Sequence, residues 1–301
     1  MELFVTHNDL DGIAGAIVAL YHKYGGDIYI APNPQQIPKD VLMKYDKITI
    51  TDLSPSDELM KALILNGKKV VVYDHHAAAA HIQAYEGCTL DVNRCGSRIY
   101  AESFGDANLV EFVRRVDLWD RFVHSDPDFK LGVELNDLFN GYNRLDRGTV
   151  FGFIEDTRFN KFIDRILTIL EGPFEYNDED RAIIKREESI YLRDYKTIQS
   201  TLNKRTDSHG FKFAVCDIPK NANTSLILNN MQKAEGLSYI IGFAESPSTE
   251  FVRISARAID TNVDLNKLKF LNGHPLAAGG QLRYNFAMKL REGKINAIDY
   301  K

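Results

Sequence analysis

The chain has 301 residues with 37 Lys and Arg against 42 Asp and Glu, a formal net charge of −5, and apolar and charged fractions of 44% and 26%. That length suits two domains with separate cores, because single cores stop growing at about 250–300 residues, and the ordinary composition points to a globular protein. The acidic balance argues against a broad basic surface for long duplex nucleic acid, yet it allows a short anionic substrate whose charge is met by bound cations.

The N-terminus, Met1-Glu2-Leu3-Phe4, runs into a strand pattern without the basic flank and apolar core of a signal peptide. Nor does any apolar run approach the roughly 18 residues of a membrane span, so a cytoplasmic location is expected. From residue 1 to about 120, short apolar runs alternate with helical periods, the pattern of βα units around a parallel sheet. The expected strands are 3–6, 28–31, 48–51, 69–73 and 89–92. Between them, Ile13 to Leu20 reads as an almost wholly apolar helix and Ser56 to Leu65 as an amphipathic one announced by Ser54-Pro55. Ser97–Phe104 and Asn108–Arg121 continue in helical register. Cys88, Cys95 and Cys216 lack metal-ligand spacing and read as reduced thiols.

Residues 130–205 carry only helical signal and end in a long charged segment, in which Ile183, Ile184, Ile190, Tyr191, Tyr195 and Ile198 recur at three- and four-residue steps. A polar stretch from Lys204 to Gly210 then marks a boundary. Strand patterns resume at 211–216, 239–243, 251–256 and 282–288, with a helix around Ser225–Lys233. The expected class is therefore α/β. An N-terminal parallel-sheet domain (1–125) is followed by a helical connector (126–205) and a smaller C-terminal α/β domain (206–301).

Chemistry gathers at the strand ends. His7, Asp9 and Asp11 alternate after the first strand, and in extended backbone i, i+2 and i+4 share a face. The third strand ends in Asp52, and the fourth ends in Asp74-His75-His76. Taken singly, such aspartates commonly cap helices or form turns, and a lone His is commonly a hydrogen-bonded structural residue. Together, these ionisable groups fall at the edge where open parallel sheets bind ligands, and they repel one another unless they are spread apart or cations lie between them. Carboxylates with a minority of imidazoles and no thiolate favour manganese ahead of magnesium, iron, cobalt or zinc. Enough ligands are present for two ions sharing a carboxylate. Such a pair, about 3.5–4 Å apart, can activate water and hold both oxygens of a phosphoryl displacement.

His7-Asn8-Asp9-Leu10-Asp11-Gly12, then Asp52, then Asp74-His75-His76 resemble in order and spacing the first three motifs of the DHH phosphoesterase superfamily. Val116-Asp117-Leu118-Trp119-Asp120 resembles the fourth, with Asp117 chosen over Asp120. The resemblance implies one metal on His7, Asp9 and Asp52 and a second on Asp11, Asp52, His75 and Asp117, with Asp52 as the bridge. It also implies that His76 faces the scissile phosphate as a hydrogen-bond donor or acid while Asp74 orients its neighbours.

Near the C-terminus, Asn272-Gly273-His274-Pro275-Leu276-Ala277-Ala278-Gly279-Gly280 reads as a glycine-rich loop able to bring backbone N–H groups close to an anion. It resembles the substrate-holding motif of the DHH-associated C-terminal domain, with Asn272 standing where that motif has a further glycine. The implied substrate contacts are Gly273, His274, Gly279 and Gly280, with Arg257 for a terminal phosphate and Arg283 as a further arginine of the same kind.

The implied activity is hydrolysis of short single-stranded oligonucleotides in the interdomain cleft, most like the nanoRNase branch, with two divalent ions, manganese first. No basic, aromatic-rich segment of the kind expected of the larger exonucleases is visible. Cyclic-dinucleotide phosphodiesterase and nucleoside-bisphosphate phosphatase are the alternatives within this chemistry, ahead of pyrophosphatase. A noncatalytic nucleotide sensor or scaffold is the rival of a different class, and it predicts damaged ligand positions. RNA or DNA preference, cleavage direction and a homodimer are left open.

Overall fold

The computed structural model describes residues 1–146, 148–220, 222–244, 250–268, 271–274 and 276–293, the side chains of 272–274 excepted. The chain divides into two compact units, Met1–Glu187 and Glu188–Lys301.

In the first unit, β1 (Glu2–Thr6) is followed by α1 (Leu10–Tyr21), β2 (Asp27–Ile30), α2 (Lys39–Met43), β3 (Lys47–Thr51), α3 (Asp57–Leu65), β4 (Lys69–Asp74) and the two-residue β5 (Thr89–Leu90). The strands lie in the order β5-β4-β3-β1-β2, all parallel. Alternation sorts their side chains. Phe4 joins Ile13, Ile17, Phe112 and Phe162 on one face, while Leu3, Val5, Ile48, Ile50, Val70 and Val72 join Leu42, Met60 and Leu63 on the other. Each fully buried Leu, Ile or Phe contributes about 1.5–3 kcal/mol relative to exposure. Helix α1 is apolar all round because it is enclosed, with every residue from Leu10 to Ala19 buried.

This order sets the site. From β1 the chain crosses to β2 by way of α1 on one face, then returns past β1 to β3, after which α3 covers the other face. The connections leaving the carboxyl ends of β1 and β3 therefore diverge to opposite faces and open a crevice between them, the usual ligand position in open parallel sheets.

Helices α4 (Gly96–Glu102), α5 (Ala107–Asp120), α6 (Phe129–Leu145) and α7 (Asn160–Leu170) complete this unit. Leu135, Leu138, Phe139, Phe162 and Ile166 of α6 and α7 share the core of α1. The next helix, α8 (Asp178–Ser200), includes the division at Glu187, with Ile183 in the first core and Ile198 in a core of the second unit.

Two short strands appear where the sequence shows only helical signal. Gly152–Phe153 forms β6, antiparallel to β2, and is too short to display alternation. Asn203–Thr206 forms β7, a polar edge strand on β8, so the stretch expected as a boundary is partly sheet.

The second unit has β7, β8 (Lys212–Ile218), α9 (Thr224–Glu235), β9 (Tyr239–Ala244), β10 (Phe251–Ala258), β11 (Asn272–His274), β12 (Ala277–Arg283) and α10 (Tyr284–Glu292). Its sheet order is β11-β12-β10-β9-β8-β7, with only β8 and β9 parallel. The strand expected over 282–288 is corrected: β12 ends at Arg283 and α10 follows. The alternation of Leu282, Tyr284, Phe286 and Met288 imitates a strand, but Ala287 and Leu290 are the residues buried on the helix, and Tyr284 and Phe286 are exposed. Among the described residues, no helix is long and apolar enough to cross a membrane.

Candidate metal centre

The turn after β1 is shaped by close approach. A Cβ on Gly12 would stand 2.3 Å from the His7 carbonyl oxygen, so only glycine lets α1 start directly over His7. The Thr6 hydroxyl donates to the Gly12 carbonyl at 2.7 Å and pins the turn from below. Asp9 combines two roles: Oδ1 accepts from Gly12 N–H at 3.0 Å as the N-cap of α1, while Oδ2 lies 2.8 Å from His7 Nδ1.

Asp52 ends β3 with φ of 54°, a left-handed conformation that non-glycine residues seldom adopt. The backbone of α4 presses against it, since a Cβ on Gly96 would lie 2.8 Å from Asp52 N. Its carboxylate is buried, and Oδ2 has no hydrogen-bond partner among the described residues. At the end of β4, Asp74 accepts from the N–H groups of His75 and His76 at 2.8 and 3.3 Å and from Ser54 Oγ at 2.6 Å, and lies 2.7 Å from His76 Nδ1.

Three ligand-like groups result, each with its atoms within 4.8 Å of one another: His7, Asp9 and Asp52; Asp52, His75 and His76; Asp11, His75 and Asp120. His75 Nε2 joins them, at 3.3 Å from Asp52, 3.5 Å from Asp120 and 4.0 Å from Asp11. Asp52 links the first two groups, and His75 links the last two. The groups bring together His7, Asp9, Asp11, Asp52, His75 and His76 of the first three motifs, while Asp74 stands outside them and holds His76.

Asp117, expected as the fourth-motif residue, lies outside these groups, and Asp120 stands in one of them. Asp117 Oδ1 accepts from Cys95 N–H at 2.7 Å and Arg121 Nε at 2.9 Å, and Oδ2 from Arg98 at 2.9 Å. Its charge and lone pairs are engaged by donors, whereas Asp120, one turn further along α5, carries its carboxylate to His75. A sequence signal could have separated them. Arg121 stands at i+4 from Asp117, the spacing of an intrahelical ion pair with a permanent cation, whereas the residue at i+4 from Asp120 is His124. Sequence reading also missed Gly96, Ser97 and Ser54, whose supporting contacts come from segments distant in the chain.

The electrostatics follow from this crowding. Burial, then the charges of Asp9, Asp11 and Asp120, push Asp52 well above the usual carboxylate range. Asp120 is pushed the same way by burial and by Asp11 and Asp9. Enclosure would raise Asp9, but the neighbouring His7 outweighs it and holds Asp9 low. Burial opposes charge on His7, yet Asp9 and Asp11 win and raise it. His76 is raised chiefly by its contact with Asp74, and His75 is lowered chiefly by burial. Several carboxylates facing one another around an oxygen without a donor is an arrangement that a divalent cation neutralises, and oxygen with imidazole suits such an ion. The residues present fit the group. Beside the cluster a cleft is lined by His7, Asp9, Asp52, Ser54 and His76, with Pro32, Asn33, Pro34 and Leu53 on its remaining wall.

In the second unit, Arg257 donates to Ala256 O at 2.8 Å, Ser255 Oγ at 3.3 Å and Ser225 Oγ at 2.5 Å, all uncharged acceptors. Burial lowers it to about 10. The stretch expected as an open glycine-rich loop is a hairpin instead. Gly273 and His274 lie in β11, opposite Ala278 and Ala277, and their side-chain surroundings lie outside the described residues. Gly279 and Gly280 lie in β12 opposite Ser255 and Ile254 of β10. Arg283 is exposed at the junction with α10.

No protein-family model matches the sequence, and no curated protein matches it. Solved structures do resemble this fold. One is a DHH-domain protein described as a member of the s1p family of ribosomal proteins, at 15% identity over 97% of this chain and 84% of that one, with a TM-score of 0.66. The pGpG-specific phosphodiesterase PggH of Vibrio cholerae gives 15% identity over 98% and 97% of the two chains, with a TM-score of 0.57. Exonuclease RecJ bound to manganese gives 13% identity over 98% and 89%, also with a TM-score of 0.57. These likenesses concern the fold: the chain is built like these three proteins, one of which is a DHH-domain protein.

Proposed function

We propose that this chain is a metal-dependent phosphoesterase that hydrolyses short single-stranded oligonucleotides, using two divalent cations held at the ends of β1, β3, β4 and α5. The observation that carries the reading is Asp52. Its carboxylate belongs to two ligand groups at once, and its Oδ2 is buried without a donor. The similar folds of a pGpG-specific phosphodiesterase and of an exonuclease bound to manganese support phosphoester chemistry.

In this reading His7, Asp9 and Asp52 hold one cation, Asp11, His75 and Asp120 the other, and Asp52 is shared. Oxygen-rich ligands with imidazole favour manganese. Bound cations supply positive charge to a phosphate ester and make water more acidic. The remaining work belongs to the chain. Asp74 fixes the His76 ring through Nδ1, leaving Nε2 for substrate, and the His76 side chain is 50% exposed beside the cleft. Because Asp74 favours its charged form, His76 is suited to donate a proton to the leaving oxygen. The first unit carries the catalytic groups, and Arg257 of the second is suited to an anionic group through a planar, two-pronged contact.

The test is turnover with manganese on dinucleotides to pentanucleotides, cyclic dinucleotides and nucleoside bisphosphates in parallel. Linear oligonucleotides should be cut to mononucleotides, and a chelator should abolish the reaction. Hydrolysis of cyclic dinucleotides or bisphosphates alone would move the substrate assignment. Tight binding without any hydrolysis would replace the enzyme by a nucleotide sensor.

A further inference from the structure

The start of α4 is unusual in where its backbone donors go. Helices begin with N–H groups that have no partner inside the helix. Here three consecutive ones are met by carboxylates from two other elements: Cys95 N–H by Asp117 Oδ1 at 2.7 Å, Gly96 N–H by Asp11 Oδ2 at 2.8 Å, and Ser97 N–H by Asp11 Oδ1 at 2.9 Å. The Ser97 hydroxyl adds a fourth bond, donating to Asp11 Oδ1 at 2.5 Å. Ser97 is fully buried, and its oxygen lies 3.5 Å from Cys95 Sγ, so the thiol can donate to Ser97 while Ser97 donates to Asp11. Asp117 is itself held by Arg98 and Arg121, so the turn that grips Asp11 is anchored from behind.

The two ends of the cluster are therefore prepared differently. Asp11 has both oxygens oriented by donors that arrive from a segment 85 and 86 residues away. Asp9 is oriented by its own turn through Gly12 and His7, and Asp52 Oδ2 meets no donor among the described residues.

We propose that Ser97 is a positioning residue for Asp11: with the Gly96 amide it fixes that carboxylate toward His75 and Asp120, so that Ser97 sets cation affinity at this end of the cluster and leaves the His7–Asp9–Asp52 end unaffected. The proposal rests on the metal-dependent reading above. Hydrogen bonds to a ligand's remaining lone pairs fix its orientation, and their loss typically costs about 10–100-fold in metal affinity.

The experiment is manganese titration of the full chain by calorimetry, with free manganese followed by electron paramagnetic resonance, for the wild type, Ser97→Ala and Ser97→Thr. Thermal melts in chelator are run alongside. The wild type is expected to bind two ions. Ser97→Ala should keep one at wild-type affinity and weaken the other about 10–100-fold, with its melting temperature in chelator close to wild type. Ser97→Thr, which keeps the hydroxyl, should restore the second ion. Unchanged affinity for both ions in Ser97→Ala, equal loss of both, or equal impairment in Ser97→Thr would overturn the positioning role, the last because volume rather than the hydroxyl would then matter. A wild-type chain that binds no manganese would overturn the metal-dependent reading itself, a result distinguishable from any of these because it precedes the variants.

Discussion

Asp117 and Asp120 sit one turn apart on α5, both in surroundings rich in charge, yet they belong to regions built on opposite principles. Around Asp117 every contact is a donor: a backbone N–H and two guanidinium groups converge on one carboxylate. Around Asp52 and Asp120 the neighbours are carboxylates and imidazoles, and burial works with like charge to disfavour ionisation. The first arrangement holds helices together. The second is costly to the folded chain unless something positive enters it, and that cost is what makes it a candidate site. Acidic composition alone does not separate the two, but the guanidinium groups that neutralise Asp117 do, since the donors that hold Asp11 are uncharged.

Substitutions can break this comparison. The largest effect is expected at Asp52. Asp52→Asn tolerates the left-handed backbone and removes the shared charge, so turnover should be lost while the melting temperature in chelator stays level or rises. A large fall in melting temperature would make Asp52 structural. Next, the two aspartates of α5 should separate cleanly. Asp117→Ala leaves the buried Cys95 N–H without its acceptor and removes one partner from the partly exposed Arg98, which keeps Glu102, and from Arg121, and it should destabilise the fold by about 1–3 kcal/mol in denaturant unfolding. Asp120→Ala should leave stability intact and weaken manganese binding. The reverse pattern would restore Asp117 as the ligand.

A smaller effect sharpens the role of the residues behind the ligands. Asp74→Asn should lower turnover about 10–100-fold by loosening the His76 ring, with less change in manganese binding. Equal loss of turnover and of both ions would instead make Asp74 a direct ligand.

The smallest effect is the pH dependence of stability in chelator. Asp52 and Asp120 are raised in the folded chain, so between the ordinary carboxylate range and their folded values the native state holds more protons than the unfolded state. Stability therefore falls as pH rises through that window. His7 and His76, also raised, add stability that is present below the ordinary histidine range and is lost as pH climbs through their folded values. The chelated protein should thus be more stable at mildly acidic than at neutral pH, and Asp52→Asn should flatten the lower part of that slope. Asp74 and Asp9, held low, contribute in the opposite sense and only in stronger acid.

The parts of this molecule that sequence displays are those governed by local periodicity. Phe4 alternating with Leu3 and Val5, and the unbroken apolar run of α1, announce a sheet covered on both faces. His7, Asp9, Asp11, Asp52, His75 and His76 stand out because strand ends concentrate them. What sequence conceals is decided by distant partners. Ser97 and Gly96 reach Asp11 across the unit, and Asp117 is engaged by Arg98 from another helix. The hairpin at 272–283 reads as a loop because its glycines suggest freedom, while ladder pairing with β10 removes it. The polar edge strand β7 lacks any buried face that alternation could reveal.

The central claim is that the carboxyl ends of β1, β3 and β4, with α5, cage a pair of divalent cations. Diffraction from crystals grown with manganese, recorded at its absorption edge, tests this directly. Two anomalous peaks are expected, one among His7, Asp9 and Asp52 and the other among Asp11, His75 and Asp120. Crystals that show no peak in the cluster, with the Asp52 carboxylate turned away from both groups, would contradict it.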